Sequence, residues 1–523
     1  MKIELRLESD GSWIPREVPE GMLLSELAEE YREQMPYRVL LARVNGFVRE
    51  LTEPVEADSR TELLDVRDHS ADLAYQRSLS MIYVLAVRRV LDSDVMIDYS
   101  INKGFFTRVI DRESVSEEDV RLVEDEMRRI ISSDAPITRD GDDYVLEGFR
   151  DCFHGEMVPS AGYIEYFSLM KYRDGILLRF PHYSRPEVIP PFEDEYKLRE
   201  AFEEAHSWGR LMGAEYLDEL NEIVRKGEAG NLILIAEALH ERKMAEIAEK
   251  IAEEGKRIIL VAGPSSSGKT TFARRLSVQL KVNGLKPIYL GTDDYFLERK
   301  DAPRDEKGEY RFEDLDAIDI DLFNRHMNGL LSGETVDLPV FDFIEGKKIF
   351  GERLTRIDRD QPIIIEGIHA LNGALTEQIP DDEKFRIYIS PLTHVNIDRH
   401  MRIPTADARM IRRMVRDCKY RNHAPADTLR NWHKVRAGEN RNIFPFSNSA
   451  DVIFNTALVY ELCLLRKYAE PLLESIGPDD EMRGGAEELL RFLRLFETID
   501  EDRYVLNNSI MREFIGGSVF GDL

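Results

Sequence analysis

One stretch of the chain has the residue types and spacing of a loop that binds phosphate. Its residues are Gly263, Pro264, Ser265, Ser266, Ser267, Gly268, Lys269 and Thr270. Glycines at both ends let backbone N–H groups wrap an anion, and a helix beginning near Thr271 would point its positive end at the same charge. Lys269 would reach the outer phosphates of a nucleoside triphosphate, while the Thr270 hydroxyl would bind Mg²⁺. We therefore predict that these residues, together with Thr271, bind a nucleotide.

The segments on either side of this loop support that interpretation. The apolar run 258–262 is typical of a buried strand, and residues 271–276 have the pattern of an amphipathic helix. The alternative is a Gly/Ser loop that matches the pattern by chance. A chance match would not be expected to have a strand before it and a helix after it. The loop thus predicts a nucleotide-binding protein and leaves the reaction open.

An acidic pair follows the next predicted strand, 287–290. It stands in the sequence Thr292-Asp293-Asp294-Tyr295-Phe296. A carboxylate here would face the phosphate loop across the carboxyl edge of a parallel sheet, where it can accept a proton from a substrate hydroxyl or hold a water on Mg²⁺. The alternative is an Asp-rich turn, because aspartate bonds its own backbone in turns. We prefer Asp293 over Asp294 as the functional carboxylate.

A further carboxylate ends the predicted strand 363–366. Glu366 stands where an enzyme with a phosphate loop places the carboxylate that organises Mg²⁺. The alternative is a carboxylate that caps the N-terminus of the next helix. We expect Thr270 and Glu366 on the metal side of the site.

Four arginines predict one basic face of a helix. Arg409, Arg412, Arg413 and Arg416 fall at i, i+3, i+4 and i+7. The surrounding segment, 399–441, has 12 Lys or Arg against 4 Asp or Glu. Such a face ordinarily forms exposed ion pairs, but the acids within the segment are too few to pair it. We therefore expect a lid over the phosphates, whose arginines would stabilise the transferring group.

The composition of the whole chain limits the class of protein. Its 523 residues are 43% apolar, enough for several cores, and a net charge of -28 disfavours broad binding to nucleic acid or to a membrane surface. Cys152, Cys418 and Cys463 are widely separated, which indicates neither a disulfide framework nor a zinc site. No apolar run could span a bilayer, and the first residues lack a signal-peptide core, so we expect a cytoplasmic protein without membrane contact.

The order of predicted elements indicates an α/β multidomain protein. Strands alternate with helices within 256–480, which predicts a parallel sheet with ligands at the carboxyl ends of its strands. Residues 1–65 have the strand, turn, strand, helix and strand order of a β-grasp domain, with a first turn at Asp10, Gly11 and Ser12. We expect a helical bridge over 186–255 and a helical tail over 481–523, and the family resemblance described below implies an α+β domain over 66–185.

Six motifs occur in the order found in the uridine kinase and phosphoribulokinase family, which this part of the chain resembles. They are 263–270, 293–296, Phe312-Glu313-Asp314-Leu315-Asp316-Ala317, 338–343, 365–367 and 412–417. The resemblance implies a kinase with a phosphate loop that uses ATP and Mg²⁺ to phosphorylate a primary hydroxyl. It implies that Asp293 is the base that accepts the proton of the hydroxyl. It implies that Lys269 holds the phosphates and that Arg412 and Arg416 belong to the lid. It also implies that Asp316, Phe296, Phe341 and Arg421 contact the substrate, Arg421 as part of the lid.

The chain departs from that family where the base is recognised. In uridine-cytidine kinases the segment Pro-Val-Tyr-Asp-Phe supplies a Tyr, and a His stands three residues beyond its Phe. Here those positions hold Phe341 and Gly346. A site that hydrogen-bonds a base rejects the wrong base by leaving polar groups unpaired, and both groups are missing here. We expect a nucleoside as the acceptor, with a phosphosugar or another small alcohol as the alternative.

The N-terminal half resembles two domains of threonyl-tRNA synthetases. Residues 41–46 and 62–65 are similar to their TGS domain, and the segments from 101 to 127 are similar to their second, editing-type domain. That domain carries His-x-x-x-His on its first helix, whereas the matching helix here reads Tyr75-Gln76-Arg77-Ser78-Leu79. Imidazoles at one-turn spacing are absent, so we expect no editing activity and a structural role for Cys152 and His154.

A second class of function is a nucleotide-gated factor that binds RNA through this half. GTPases with a TGS domain need an Asn-Lys-x-Asp guanine clamp, but Asn102-Lys103 precedes the phosphate loop and continues with Gly104. We therefore expect at most a residual RNA contact by the N-terminal domains. For the whole protein we expect a homo-oligomer.

Overall fold

The structure is a computed structural model that describes residues 1–7, 11–304, 308, 310–311 and 313–521. Two residues of predicted motifs, Asp10 and Phe312, lie outside the described residues. The chain forms two compact units. The first contains Met1–Glu195, Asn396–Ile403 and Ile476–Leu489, and the second contains Tyr196–Val395, Pro404–Ser475 and the described residues from Leu490 onwards.

The first unit begins with a five-stranded mixed sheet and a helix. The elements are β1 (Lys2–Arg6), β2 (Ile14–Glu17), α1 (Leu24–Glu30), β3 (Val39–Val44), β4 (Phe47–Glu50) and β5 (Arg60–Asp65). The strands lie in the order β2-β1-β5-β3-β4, with β1 parallel to β5 and the other neighbours antiparallel. Leu24, Leu27 and Ala28 bury the apolar face of α1 in this core. The predicted order of strands and helix is confirmed.

The rest of this unit packs antiparallel sheets with two long helices. The elements are α2 (His69–Leu91), β6 (Val95–Ile101), β7 (Gly104–Val109), α3 (Glu117–Ser132), β8 (Ile137–Asp140), β9 (Asp143–Leu146), β10 (Phe149–Cys152), β11 (Ser168–Tyr172) and β12 (Gly175–Arg179). One sheet has the order β11-β12-β7-β6 and the other β10-β9-β8. The segment Asn396–Ile403, which belongs to this unit, contacts β6, where the Ile97 N–H donates to Arg399 O at 2.8 Å.

The second unit is built on a five-stranded parallel sheet. Its elements, of which α12 belongs partly to the first unit, are α4 (Tyr196–Met212), α5 (Leu217–Arg225), α6 (Ala229–Glu253), β13 (Ile258–Ala262), α7 (Lys269–Val282), β14 (Ile288–Gly291), α8 (Ile320–Leu331), β15 (Val336–Asp337), β16 (Val340–Asp342), β17 (Lys347–Ile349), β18 (Leu354–Thr355), β19 (Ile363–Glu366), β20 (Lys384–Ser390), α9 (Thr405–Tyr420), α10 (Pro425–Asn442), β21 (Val452–Asn455), α11 (Glu461–Glu474), α12 (Arg483–Leu493) and α13 (Arg512–Ile515).

The strand order of this sheet determines where its ligands can lie. The order is β14-β19-β13-β20-β21, and every neighbouring pair is parallel, as the sequence predicts. Each residue of the apolar strand β13 is buried, as expected for a parallel strand covered on both faces. The carboxyl ends of β13, β14 and β19 therefore meet at one edge. Among the described residues, no helix combines the length and apolar character needed to cross a membrane.

Candidate functional site

The phosphate loop joins β13 to α7, and its glycines are required by its surroundings. A Cβ on Gly263 would lie 2.1 Å from the carbonyl oxygen of Ile389 on β20. Gly268 precedes α7 with φ +85°, a conformation that L side chains rarely adopt. Since α7 begins at Lys269, its first N–H groups have no partner within the helix and lie where an anion would be stabilised.

Two helices hold Ser265 of this loop. On Ser265, the N–H donates to Glu439 Oε1 at 3.1 Å, the carbonyl accepts from Arg409 Nε at 3.1 Å, and the hydroxyl accepts from Arg413 Nη1 at 2.8 Å. Arg409 and Glu439 are themselves paired and almost fully buried. The loop is therefore shaped by α9 and α10, which are distant from it in sequence.

Lys269, Thr270 and Glu366 meet Asp293 at the carboxyl edge of the sheet. The Thr270 hydroxyl donates to Glu366 Oε2 at 3.3 Å, and the Tyr289 hydroxyl donates to the same oxygen at 3.0 Å. The ammonium group of Lys269 donates to Pro264 O at 3.2 Å and interacts electrostatically with Glu366 and Asp293. The two residues predicted for the metal side are thus in contact.

The charges of this cluster influence one another. Burial raises the pKa of Glu366, which Lys269 opposes and Asp293 reinforces. Crowding by the surrounding protein likewise raises the pKa of Asp293, again opposed by Lys269, although part of this side chain remains open to solvent. Burial lowers the pKa of Lys269 against the pull of Glu366. A raised carboxyl pKa is typical of a group that exchanges protons.

The neighbouring carboxylates Asp293 and Asp294 have different surroundings. Asp294 pairs with Arg353 at 2.7 Å and accepts the N–H of Phe341 at 3.3 Å, so it holds β16 against the turn that follows β14. Asp293 instead interacts with Lys269. The preference for Asp293 as the functional carboxylate stays a prediction, now with a structural role assigned to its neighbour.

Aromatic side chains form a wall near this turn. Phe341 lies 5.8 Å from Phe296 and 5.2 Å from Phe343, centroid to centroid. Gly346 has φ +66°, and Arg299 fills the space beside it, since a Cβ there would lie 2.4 Å from Arg299 Cγ. Arg299 Nη2 also donates to Phe343 O at 2.8 Å. The wall is therefore apolar where Phe341 stands and carries an arginine beside Gly346.

Asp316, predicted for the substrate pocket, lies in a short 3-10 turn and is exposed. Arg311 Nη2 lies 3.5 Å from its Oδ2. The neighbouring Asp314 is buried and accepts from Asn442 Nδ2 at 3.0 Å. Contact of Asp316 with a substrate stays a prediction.

The arginines of α9 are paired more fully than the sequence indicates. Arg412 is fully buried, with Nε 3.2 Å from Glu461 Oε1 and Nη2 donating to Thr456 O at 2.9 Å. Three further arginines surround one carboxylate, Asp417: Arg413 at 3.3 Å, Arg416 at 2.8 Å and Arg421 at 3.6 Å. The expectation of an unpaired basic face is wrong, because Glu461 comes from outside the segment and Asp417 is shared. The lid role of these arginines stays a prediction.

Some residues of the site carry no clear signal in the sequence. Tyr289 and Arg353 position Glu366 and Asp294, and Glu439 holds the phosphate loop. Glu513, near the end of the chain, accepts from the Thr271 hydroxyl at 2.8 Å. The position of Tyr289 on β14, whose carboxyl end lies at the site, is a signal that could have indicated it. The other contacts depend on long-range folding.

In the first unit, the two positions of α2 that would carry the His pair are used for packing. Leu79 of α2 is fully buried, and Tyr75 donates to Tyr166 O at 2.7 Å and accepts its N–H at 2.9 Å. Cys152 Sγ lies 3.9 Å from His154 Nε2, and burial together with nearby carboxylates raises the pKa of the Cys152 thiol to about 11. A thiol with that pKa is a poor nucleophile at neutral pH.

Known proteins resemble separate parts of the chain. The profile of the Phosphoribulokinase / Uridine kinase family matches residues 258–461. The uridine kinase of Halalkalibacterium halodurans is 30% identical over 202 residues, which are 38% of this chain and 86% of that protein. The threonine--tRNA ligase of Syntrophomonas wolfei is 36% identical over 138 residues, which are 26% of this chain and 21% of the ligase. A solved structure of a possible uridine kinase from Bacillus stearothermophilus is 18% identical, with a TM-score of 0.28, and the match covers 41% of this chain and 98% of that one.

The chain belongs to the phosphoribulokinase and uridine kinase family, since it covers most of a curated relative at 30% identity. It is an ATP-dependent kinase. The family match lies within residues 258–461, which hold the phosphate loop, Asp293 and Glu366. Of the threonine ligase, by contrast, the chain covers 21%.

Proposed function

We propose that the protein transfers the γ-phosphate of ATP to the 5′-hydroxyl of a nucleoside. The observation that carries this proposal is the cluster of Lys269, Thr270 and Glu366 with Asp293 at the carboxyl edge of the parallel sheet. One side of the cluster has the N–H groups and the cation that phosphates require. The other side has a carboxylate able to accept a proton.

The donor side consists of residues 263–271 and Glu366. Lys269 and the backbone N–H groups would hold the phosphates. Thr270 and Glu366, in contact at 3.3 Å, fit Mg²⁺, which takes one or two protein oxygens and completes its shell with water and phosphate. Bound there, Mg²⁺ would neutralise negative charge on the phosphates. The hydrogen bond from Tyr289 keeps Glu366 oriented for that contact.

The acceptor side centres on Asp293. Its carboxylate would hydrogen-bond the acceptor hydroxyl, orient it towards the phosphates and accept its proton. The charge of Lys269 stabilises this carboxylate in the ionised form that the reaction requires. Arg416, whose charge acts on Lys269, and Arg412 are proposed for the lid. For Arg412 this role requires its pair with Glu461 to open.

A nucleoside is supported as the acceptor by the relatives that are uridine kinases and by the aromatic wall. A planar base could stack on Phe296 and Phe341. Asp316 would contact the nucleoside from the pocket, and Arg421 would contact it as part of the lid. The side chain of Phe341 has no hydrogen-bond donor or acceptor, and Gly346 has no side chain, so recognition of uracil itself is not implied. A phosphosugar or another small alcohol is the alternative acceptor.

We propose further that the N-terminal half retains the architecture of two synthetase domains without their editing activity. The proposed domains are a TGS-like 1–65, a synthetase-like α+β 66–185, a helical bridge 186–255, the kinase domain 256–480 and a tail 481–523. The likeness to a threonine ligase over 138 residues supports this assignment.

We also propose a cytoplasmic homo-oligomer. Titrating the full chain with tRNA at two salt concentrations tests the RNA contact, because a phosphate contact weakens as salt rises.

The test of the kinase proposal is an ATP-consumption screen with Mg²⁺ over nucleosides and sugar phosphates. We expect the highest kcat/KM with a nucleoside and none without an acceptor. A sugar phosphate turned over faster than every nucleoside would favour the alternative. No acceptor-dependent turnover would refute the proposal.

A further inference from the structure

The C-terminal segment 505–517 places a carboxylate on the helix that follows the phosphate loop. Glu513 Oε2 accepts from the Thr271 hydroxyl at 2.8 Å and from the Thr271 N–H at 3.4 Å. Thr271 is fully buried and Glu513 is 8% exposed. Thr271 is the third residue of α7, so its N–H belongs to the first turn, whose donors have no partner within the helix. Glu513 supplies that partner.

The Thr271 N–H is among the donors that a nucleotide would use. The N-terminus of a helix favours negative charge, and a phosphate loop offers the N–H groups of this first turn to phosphate oxygens. A carboxylate that accepts from both Thr271 donors therefore occupies an anion position. Its charge also acts on Lys269 and Glu366, the residues assigned to the phosphates and the metal.

Contacts along the segment hold Glu513 in this place. Ile510 lies against the phosphate loop, where a Cβ on Gly268 would be 2.6 Å from Ile510 Cγ2. The ring centroid of Phe514 lies 5.1 Å from the guanidinium carbon of Arg412, and Lys419 donates to Ile515 O. The segment thus contacts both the loop and α9, the helix that carries the proposed lid arginines.

We propose that Glu513 is a further residue of the nucleotide site, whose carboxylate holds the anion position at Thr271 until nucleotide phosphate displaces it. This inference rests on the proposed function, because it takes the loop to bind a nucleotide. A carboxylate and a phosphate repel each other, and both would compete for the Thr271 N–H. Nucleotide binding therefore has to move Glu513, and with it the contacts of segment 505–517 on α9. If nucleotide phosphate did not use the Thr271 donors, Glu513 would only cap the helix and would not oppose nucleotide binding.

The test compares ADP binding to the full-length wild type, Glu513→Gln and Glu501→Gln by calorimetry, with and without Mg²⁺. Gln keeps an acceptor oxygen and removes the charge. Glu501 is the matched control, since it lies in the same part of the chain but is 65% exposed in a pair with Arg503. We expect Glu513→Gln to bind ADP about tenfold more tightly than wild type, in both metal conditions, and Glu501→Gln to match wild type.

Equal or weaker ADP binding by Glu513→Gln would overturn the inference, and weakening seen only with Mg²⁺ would show a metal-holding role instead. Binding by Glu513→Gln but not by wild type would support it. If neither protein binds ADP or ATP, the proposed function itself fails. A second measurement, hydrogen exchange on the wild type, covers a variant that does not fold. ADP should speed exchange of the amides in 505–517, and slower exchange there would contradict displacement.

Discussion

The helix α2 in the first unit and the phosphate loop in the second differ in how the surrounding protein packs against them. In α2 the positions that would carry a His pair hold Tyr75 and Leu79, which are fully occupied by the core and by Tyr166. At the phosphate loop, packing leaves room for backbone alone, because Ile389 O lies beside Gly263. Packing uses the two positions of α2 for the core, whereas at the loop it maintains a backbone shape suited to an anion.

The same contrast extends to charge. In the first unit His400 lies between two carboxylates, 2.6 Å from Asp151 and 3.0 Å from Asp94, which satisfy both ring nitrogens. In the second unit Asp293 and Glu366 share the charge of Lys269, and both carboxyl pKa values are raised. A closed set of charges stabilises a fold, whereas a cluster with excess negative charge is suited to receive a metal ion or a proton.

The largest effect is expected for Asp293→Asn. Loss of the base should lower kcat by about 10²- to 10⁴-fold with little change in the free energy of unfolding. Steady-state kinetics with the best acceptor measures it, with Asp321→Asn, an exposed residue of α8, as the control. Because the pKa of Asp293 is raised, the wild-type rate should fall on acidification at a pH above the usual aspartate range. Full activity of the variant would exclude Asp293 as the base.

Leu79→Ala tests the other side of the comparison. Removing a fully buried side chain from α2 should lower the free energy of unfolding by about 2–5 kcal/mol, measured by denaturant titration. At a temperature where both proteins are folded, kcat should stay within twofold of wild type, because α2 is proposed to serve packing alone. A large loss of kcat in folded protein would contradict this.

His400→Gln tests the closed charge set through pH. The carboxylates Asp151 and Asp94 raise the pKa of His400 from 6.5 to about 9, against the effect of burial. The folded state therefore binds the proton more tightly, and the gain is complete below pH 6.5 and lost as pH rises through 9. We expect wild type to exceed the variant by up to about 3 kcal/mol at pH 6, with a smaller gap at pH 9.5. A gap that grows with pH would contradict the assignment.

Gly263→Ala tests the loop without touching a reactive group. Because its Cβ would meet Ile389 O, the backbone must shift, which should cost about 1–3 kcal/mol in the free energy of unfolding and weaken ADP binding. Gly373→Ala is the control, since nothing lies within 4 Å of the added Cβ. Calorimetry and thermal unfolding measure both properties. Similar behaviour of the two variants would refute the steric argument.

Local patterns predicted the parallel sheet and the loop correctly. The apolar runs at 258–262 and 363–365 lie in β13 and β19, and the arginine spacing from 409 to 416 lies on α9. The partners of those arginines could not be predicted, because Glu461 follows α9 by about 40 residues in the chain. For the same reason the count of acids within one segment misled the prediction about unpaired charge.

By itself the sequence determined the phosphate loop, the acidic ends of two strands and the class of fold, because these depend on periodicity and spacing over a few residues. Tertiary structure alone decided which of two adjacent aspartates is committed to Arg353, which acids pair the basic helix, and that Glu513 lies on Thr271. Apart from the local pairs of Asp417, those contacts join residues from 30 to more than 200 positions apart. Burial and hydrogen bonding select them only when the whole chain has packed.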